Sequence, residues 1–245
     1  MDLSEINFAV LVASLIVAST PLVLAALGEL VVEKSGVLNL GVEGMMIIGA
    51  VAGFIVGVET GSAYIGMMAA AVAGALLSLL FAFIILIMQA NQVASGLALT
   101  IFGLGIAALM GHPYTGIKSP QISTISIPIL NEIPIIGTMF FQHDLIVYIS
   151  LISVLVIWYF LNRMRSGLIL RSVGEDHDVA HSLGYRVVTI RFLAITFGGA
   201  MAGVGGGYLS LVRVPQWTEG MTAGAGWIAL ALVVFSGWKP FRLLI

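Results

Sequence analysis

Apolar positions in this chain gather into long unbroken runs, without the period of two or of 3.6 that marks an element half-buried in a water-soluble fold. Residues 8–27, 64–88, 93–110, 145–161 and 192–212 contain no Asp, Glu, Lys or Arg. A helix that crosses a bilayer needs about 17 to 25 mostly apolar residues, so each run is long enough to span. Two shorter runs, 42–58 and 223–238, hold at most one charge each and adjoin chain that extends them. The pattern predicts an all-α, polytopic helical membrane protein with about seven membrane segments. The N-terminus has no basic stretch ahead of its first run, so that run is expected to be a retained helix and not a cleaved leader.

Segment 28–44 breaks the pattern. It places Glu29, Glu33, Lys34 and Glu43 among apolar residues, with glycine at 28, 36, 41 and 44. A charge at the centre of a lipid-facing helix costs roughly 2.5 to 3.5 kcal/mol on insertion scales, so an ordinary span does not fit. A broken or re-entrant segment fits, because irregular backbone at membrane depth survives where protein buries it. A loop on the cytoplasmic side fits equally, and the direction of the first helix stays open with that choice.

Basic residues orient the rest. Arg163, Arg165, Arg171, Arg186 and Arg191 all fall in 162–191, and Lys239 and Arg242 follow two spans later on the same side. Short loops rich in Lys and Arg stay cytoplasmic, which makes 162–191 a cytoplasmic loop. By alternation, 112–143 faces outward; it holds four prolines, and its run 122–130 alternates apolar and polar residues in part. A structureless connection of that length is uncommon, so an ordered extracytoplasmic lid or docking segment is expected there.

Composition narrows the function. Only 9% of the 245 residues are charged, with 10 basic and 12 acidic, against about 25% in soluble domains. The surface must largely face lipid. No basic block points to nucleic acid, and with no cysteine there is no disulfide, thiolate metal site or cysteine nucleophile. Glycine is abundant at 29 residues, and Gly49, Gly53, Gly57 and Gly199, Gly203, Gly207 each repeat every fourth position. Residues four apart share a helix face, so both sets form smooth stripes for close helix packing, and such low-relief faces would also let helices slide.

Candidate chemistry is sparse. His177 and His181 flank Asp178 with the i, i+4 spacing of a zinc-protease helix, but Asp is shorter than the Glu that pattern needs and no third ligand is evident, so no metal site is assigned. A short amphipathic surface helix explains the same residues: Glu175 and Asp176 at its positive end, Val179 and Leu183 on one face, and Gly184 as its stop. No phosphate loop and no Gly-x-Ser-x-Gly nucleophile frame occurs. What remains is polarity among apolar helices, at Asn39, Glu43, Asn91, Gln92, Ser95 and Thr100, and such groups tend to mark pathways.

The stretch Arg171-Ser172-Val173-Gly174-Glu175-Asp176, followed by Ala180 and Gly184-Tyr185, resembles the coupling-helix region of permease subunits of bacterial ABC importers, in the branch for simple sugars, nucleosides and branched-chain amino acids. Residues 21–29, 35–45 and 91–99 look like the nucleoside-type members in particular. The resemblance implies an inner-membrane, multi-pass permease domain over 1–245 that is not itself an enzyme and carries no cofactor. Its implied partners are an ABC ATPase subunit that binds the ATP, a second permease copy or sibling permease, an extracytoplasmic solute-binding lipoprotein and membrane lipid. Arg171, Gly174, Glu175, Asp176, Val179, Ala180, Leu183 and Gly184 would form the ATPase contact, and Asn39, Glu43, Asn91, Gln92, Ser95 and Thr100 the substrate pathway. Family members continue with further membrane segments past the position of 239–242, so the chain is expected to be short at its C-terminal end. Nucleoside uptake is the leading expectation. A simple-sugar permease is the alternative, as is an ion-coupled carrier using Glu29, Glu33 and Glu43.

Overall fold

The uncharged runs become helices. The computed structural model describes residues 8–126 and 136–244. In chain order it contains α1 (Phe8–Lys34), α2 (Val42–Thr60), α3 (Ala63–Ala82), α4 (Gln92–Gly111), β1 (Ile125–Ser126), α5 (Ile136–Phe140), β2 (Gln142–His143), α6 (Leu145–Arg163), α7 (Arg165–Glu175), α8 (His177–Ser182), α9 (Val187–Tyr208) and α10 (Ala225–Phe235). π-helical turns, Phe83–Ile87 and Leu209–Arg213, prolong α3 and α9. Among the described residues, six helices are long and apolar enough to cross a membrane: α1, α2, α3, α4, α6 and α9 with their terminal turns.

The run 223–238 is the exception to the seven segments expected. Its helix covers only Ala225–Phe235, 11 residues. At about 1.5 Å per residue that is roughly half a hydrocarbon core of about 30 Å. Backbone geometry sets both limits: Ala223 (φ 44°) and Gly224 (φ 86°) lie in the left-handed region before it, and Gly237 (φ 62°) and Trp238 (φ 55°) after it.

The ambiguous segment resolves in two pieces. Residues 28–34, expected to be broken or a loop, continue α1 without interruption, because Leu30, Val31 and Val32 are buried on a helix that also buries Glu29. The break is confined to residues 35–41. Those residues run back beside α1, with Asn39 level with Glu29, so irregular backbone does sit alongside the helix end, buried by protein. The last residues of α1 reach the end of the molecule that carries Arg191, whose Nε donates to the Ser35 carbonyl at 3.0 Å.

Helix α9 is the axis around which α1, α2 and α3 pack. A Cβ at Gly203 would fall 2.2 Å from the Ala70 carbonyl of α3, one at Gly206 would fall 1.8 Å from the Met46 carbonyl of α2, and one at Gly205 would fall 2.7 Å from the Pro21 carbonyl of α1. Three faces of one helix therefore touch backbone directly. The two stripes read from the sequence do meet, Gly49 against Gly203, and α3 supplies a third stripe, Gly66, Ala70, Gly74 and Ser78, that answers them. With backbone contact on three sides, the stripes serve close packing.

The segment 112–143 is partly ordered. Thr115 and Lys118 bridge to Trp217 and Gln216, Ser119 donates its backbone N–H to the Pro215 carbonyl at 3.1 Å, and β1 pairs antiparallel with β2. The chain after α9 thus clips onto the chain after α4. The alternating run 122–130 lies outside the described residues beyond 126.

Candidate functional site

Two clusters of polar residues stand out, one halfway along the helices and one at the basic end. The first is built on the break at 35–41. A chain segment without helix or sheet must send each backbone polar group somewhere, since burial without a partner costs as much as a lost hydrogen bond. The Leu38 N–H donates to Gln92 Oε1 (2.9 Å), Asn39 N–H to Glu29 Oε1 (3.2 Å) and Gly41 N–H to Asn39 Oδ1 (3.1 Å). The Leu40 carbonyl accepts from Thr100 Oγ1 (3.1 Å) and Trp227 Nε1 (3.2 Å). Asn39 Nδ2 closes onto Glu29 Oε2 at 3.1 Å.

Glu43 anchors the other side of this cluster. It stands in the first turn of α2, whose Met46 and Gly49 lie against Gly206 and Gly203 of α9. Its Oε1 accepts from Thr222 Oγ1 (2.5 Å) and the Gly224 N–H (3.0 Å), and its Oε2 accepts from the Gly226 N–H (2.7 Å). Glu43 is 3% exposed. A carboxylate at a helix N-terminus meets unsatisfied N–H groups and the positive end of the dipole, so Glu43 closes the start of half-length α10 while its own helix starts beside it.

Four of the six pathway candidates, Asn39, Glu43, Gln92 and Thr100, therefore converge here, each bonded within the chain. Asn39, Glu43 and Thr100 are buried, Gln92 ties the strap, and Asn91 caps α4 by accepting the Ala94 N–H at 3.0 Å. Ser95 lies one turn along α4 beside them, half-buried. The cluster holds irregular backbone at membrane depth. The acids proposed for ion coupling are engaged to different degrees: Glu29 with Asn39, Glu43 with α10, and Glu33 through Oε2 with Trp238 Nε1 while its Oε1 is buried without a partner.

The second cluster is α7 with α8. Where the sequence predicts a single short helix opened by Glu175 and Asp176, the chain forms two. Glu175 closes α7 instead of opening α8, and Asp176 is the N-cap, its Oδ1 accepting the N–H groups of Asp178 and Val179 at 3.0 Å each. Gly184 ends α8 with φ 88°. Val179 is 54% and Leu183 69% exposed, whereas Ala180 is buried beneath them. Gly174 faces inward: a Cβ there would fall 2.2 Å from the Lys34 carbonyl, so α7 is pressed against the end of α1. Arg171 also points away from the Val179–Leu183 face, lining a separate cavity with Lys34 and Trp238. His177 pairs with Asp178 at 3.6 Å on the surface, and among the described residues no three or more His, Asp or Glu gather as metal ligands.

A family model described as the permease component of the branched-chain amino acid transport system matches residues 11–245. The chain belongs to this permease family. The permease is 41% identical to a putative glucose ABC transporter permease, TsgC13, of Haloferax volcanii, over 93% of this chain and 70% of that protein. It is 34% identical to the guanosine ABC transporter permease NupQ of Bacillus subtilis, over 100% of this chain and 80% of that protein. It is 31% identical to the nucleoside ABC transporter permease NupC of Lactococcus lactis, over 96% of this chain and 78% of that protein. No solved structure matches. The permease is thus a multi-pass transport subunit, and this family membership sets aside the ion-coupled carrier.

Several residues that shape the permease escaped the sequence reading. Thr222, Gly224 and Gly226 lie about 180 positions from the carboxylate they bind, and no local pattern joins them. The buried pair Tyr208–Asp144 was missed as well: Tyr208 Oη donates to Asp144 Oδ2 at 2.8 Å while Asp144 caps α6. An Asp directly ahead of the apolar run 145–161 was a readable capping signal.

Proposed function

We propose that this permease moves nucleosides inward, driven by a partner ATPase that docks on α8. The observation that carries the reading is the exposed Val179–Leu183 pair on a helix capped at both ends and braced from behind by Ala180 and by the Gly174–Lys34 contact. An apolar pair held rigidly in the basic, lipid-distal part of the chain suits a groove on a soluble subunit, and force applied there passes through α7 to α1. ATP is bound and hydrolysed on that partner, a second permease copy or sibling completes the pore, and an extracytoplasmic binding protein delivers the solute. Glu175, Asp176 and Gly184 shape the same contact; Arg171, Gly174 and Ala180 support it from beneath.

The guanosine and nucleoside permeases among the relatives, matched along nearly the whole chain, support the nucleoside assignment. A second reading, a hexose, rests on the 41% identity to the putative glucose permease. Uptake of labelled guanosine, uridine and glucose, in cells carrying the operon with and without this gene, separates them. Loss of nucleoside uptake alone is expected on deletion; loss of glucose uptake alone selects the second reading, and undiminished uptake of all three overturns both.

A further inference from the structure

At the basic end, α1, α6, α7 and the turn after α10 enclose a cavity of about 470 Å³. Lys34, Arg171, Lys239 and Arg242 line it together with Asn162 and Trp238, and no carboxylate lines it; Glu33 accepts from Trp238 Nε1 through Oε2, and its Oε1 is buried without a partner. None of the four cations forms an ion pair with an acid among the described residues. Arg171 Nε is buried without an acceptor, an uncommon state for a buried donor. Lys34 Nζ lies 5.8 Å from the centre of the Trp238 ring, which holds that cation at the cavity wall.

The cavity's position says what kind of anion reaches it. Lys34 and Asn162 belong to the last turns of two spanning helices, the level at which phospholipid headgroups lie. From Asn162 the same face of α6 continues through Tyr159, Leu155 and Ile152, all exposed and apolar in body, for about three turns toward the membrane centre. An anion seated among the four cations would thus have an apolar track leading from it. Basic pockets between membrane helices are suited to phosphate-bearing headgroups.

We propose that this cavity binds the phosphodiester of an anionic phospholipid, with Arg171, Lys239, Arg242 and Lys34 around the phosphate and an acyl chain along Tyr159, Leu155 and Ile152. The site is independent of which solute the permease carries.

Thermal unfolding of the purified chain in detergent tests it, with phosphatidylglycerol, phosphatidylcholine or inorganic phosphate added. Phosphatidylglycerol at about a hundredfold excess over its dissociation constant should raise the midpoint by about 5 to 10 °C relative to phosphatidylcholine. The double variant Lys239→Gln/Arg242→Gln should lose that difference, the charge-preserving Lys239→Arg/Arg242→Lys should keep it, and Arg165→Gln/Arg186→Gln, outside the cavity, should also keep it. Native mass spectrometry should count a retained phosphatidylglycerol on the wild type and none on the Gln variant, which covers the case where that variant unfolds early. Equal shifts with the two lipids, or an undiminished shift in the Gln variant, overturn the proposal; an equal shift from inorganic phosphate alone replaces the lipid with a free anion and also overturns it.

Discussion

The mid-depth cluster and the basic end are both rich in polar groups, yet they use them in opposite ways. Around Asn39 and Glu43, every named donor meets an acceptor within the chain, and Asn39, Glu43, Thr100 and Thr222 are buried. Around Arg171 the four cations of the cavity form no ion pair among the described residues, Arg171 Nε has no acceptor, and on α8 Val179 and Leu183 are left in the open. Polarity around Asn39 and Glu43 holds irregular backbone, whereas the unsatisfied groups lie at the basic end, where the ATPase and lipid contacts are proposed. A polar residue between apolar helices is therefore a guide to how the fold is held before it is a guide to a pathway.

Breaking the satisfied cluster should be costly. Glu43→Ala strands the Thr222 hydroxyl and two N–H groups of α10, and at roughly 1 to 3 kcal/mol per stranded buried group it should be the most destabilising change considered. A fall of 10 °C or more in the detergent melting midpoint is expected, and Glu43→Gln, which keeps one acceptor, should recover part of it. Asn39→Ala removes both side-chain bonds that link the strap to Glu29 and to Gly41, leaving a buried carboxylate oxygen and one N–H unpaired. About 2 to 3 kcal/mol is expected, read in the same assay. Gly203→Ala drives a methyl into the Ala70 carbonyl and should cost about 1 to 3 kcal/mol by overpacking. The smallest change in stability should come from Val179→Asp with Leu183→Asp, within about 0.5 kcal/mol because both residues are exposed. Uptake should nevertheless fall at least tenfold, and normal transport by this variant would erase the contrast between the two regions.

The spans were legible because lipid imposes a length and an apolarity that the sequence displays directly. Residues 28–34 were harder, since Glu29 and Glu33 look unfit for a helix until their partners are known, and Asn39 lies ten residues on across a turn. The half-length of α10 was hidden for a related reason: the apolar run 223–238 is long enough, and only the left-handed backbone at its two ends shortens the helix. Gly184 as the stop of α8 was readable from its type alone, but the division between α7 and α8 was not, because Glu175 and Asp176 are equally suited to begin a helix. Contacts between Glu43 and residues 222–226 carry no local trace at all.

Helix α10 starts at Glu43 and delivers the chain to Trp238, which touches Glu33 and overlies Lys34. It is consequently a spacer of fixed phase. One inserted residue would turn its far end by about 100° and advance it by about 1.5 Å while leaving the Glu43 contacts intact. The indole would then point away from α1, so the length of this short helix sets the angular register between the middle of the membrane and its basic edge.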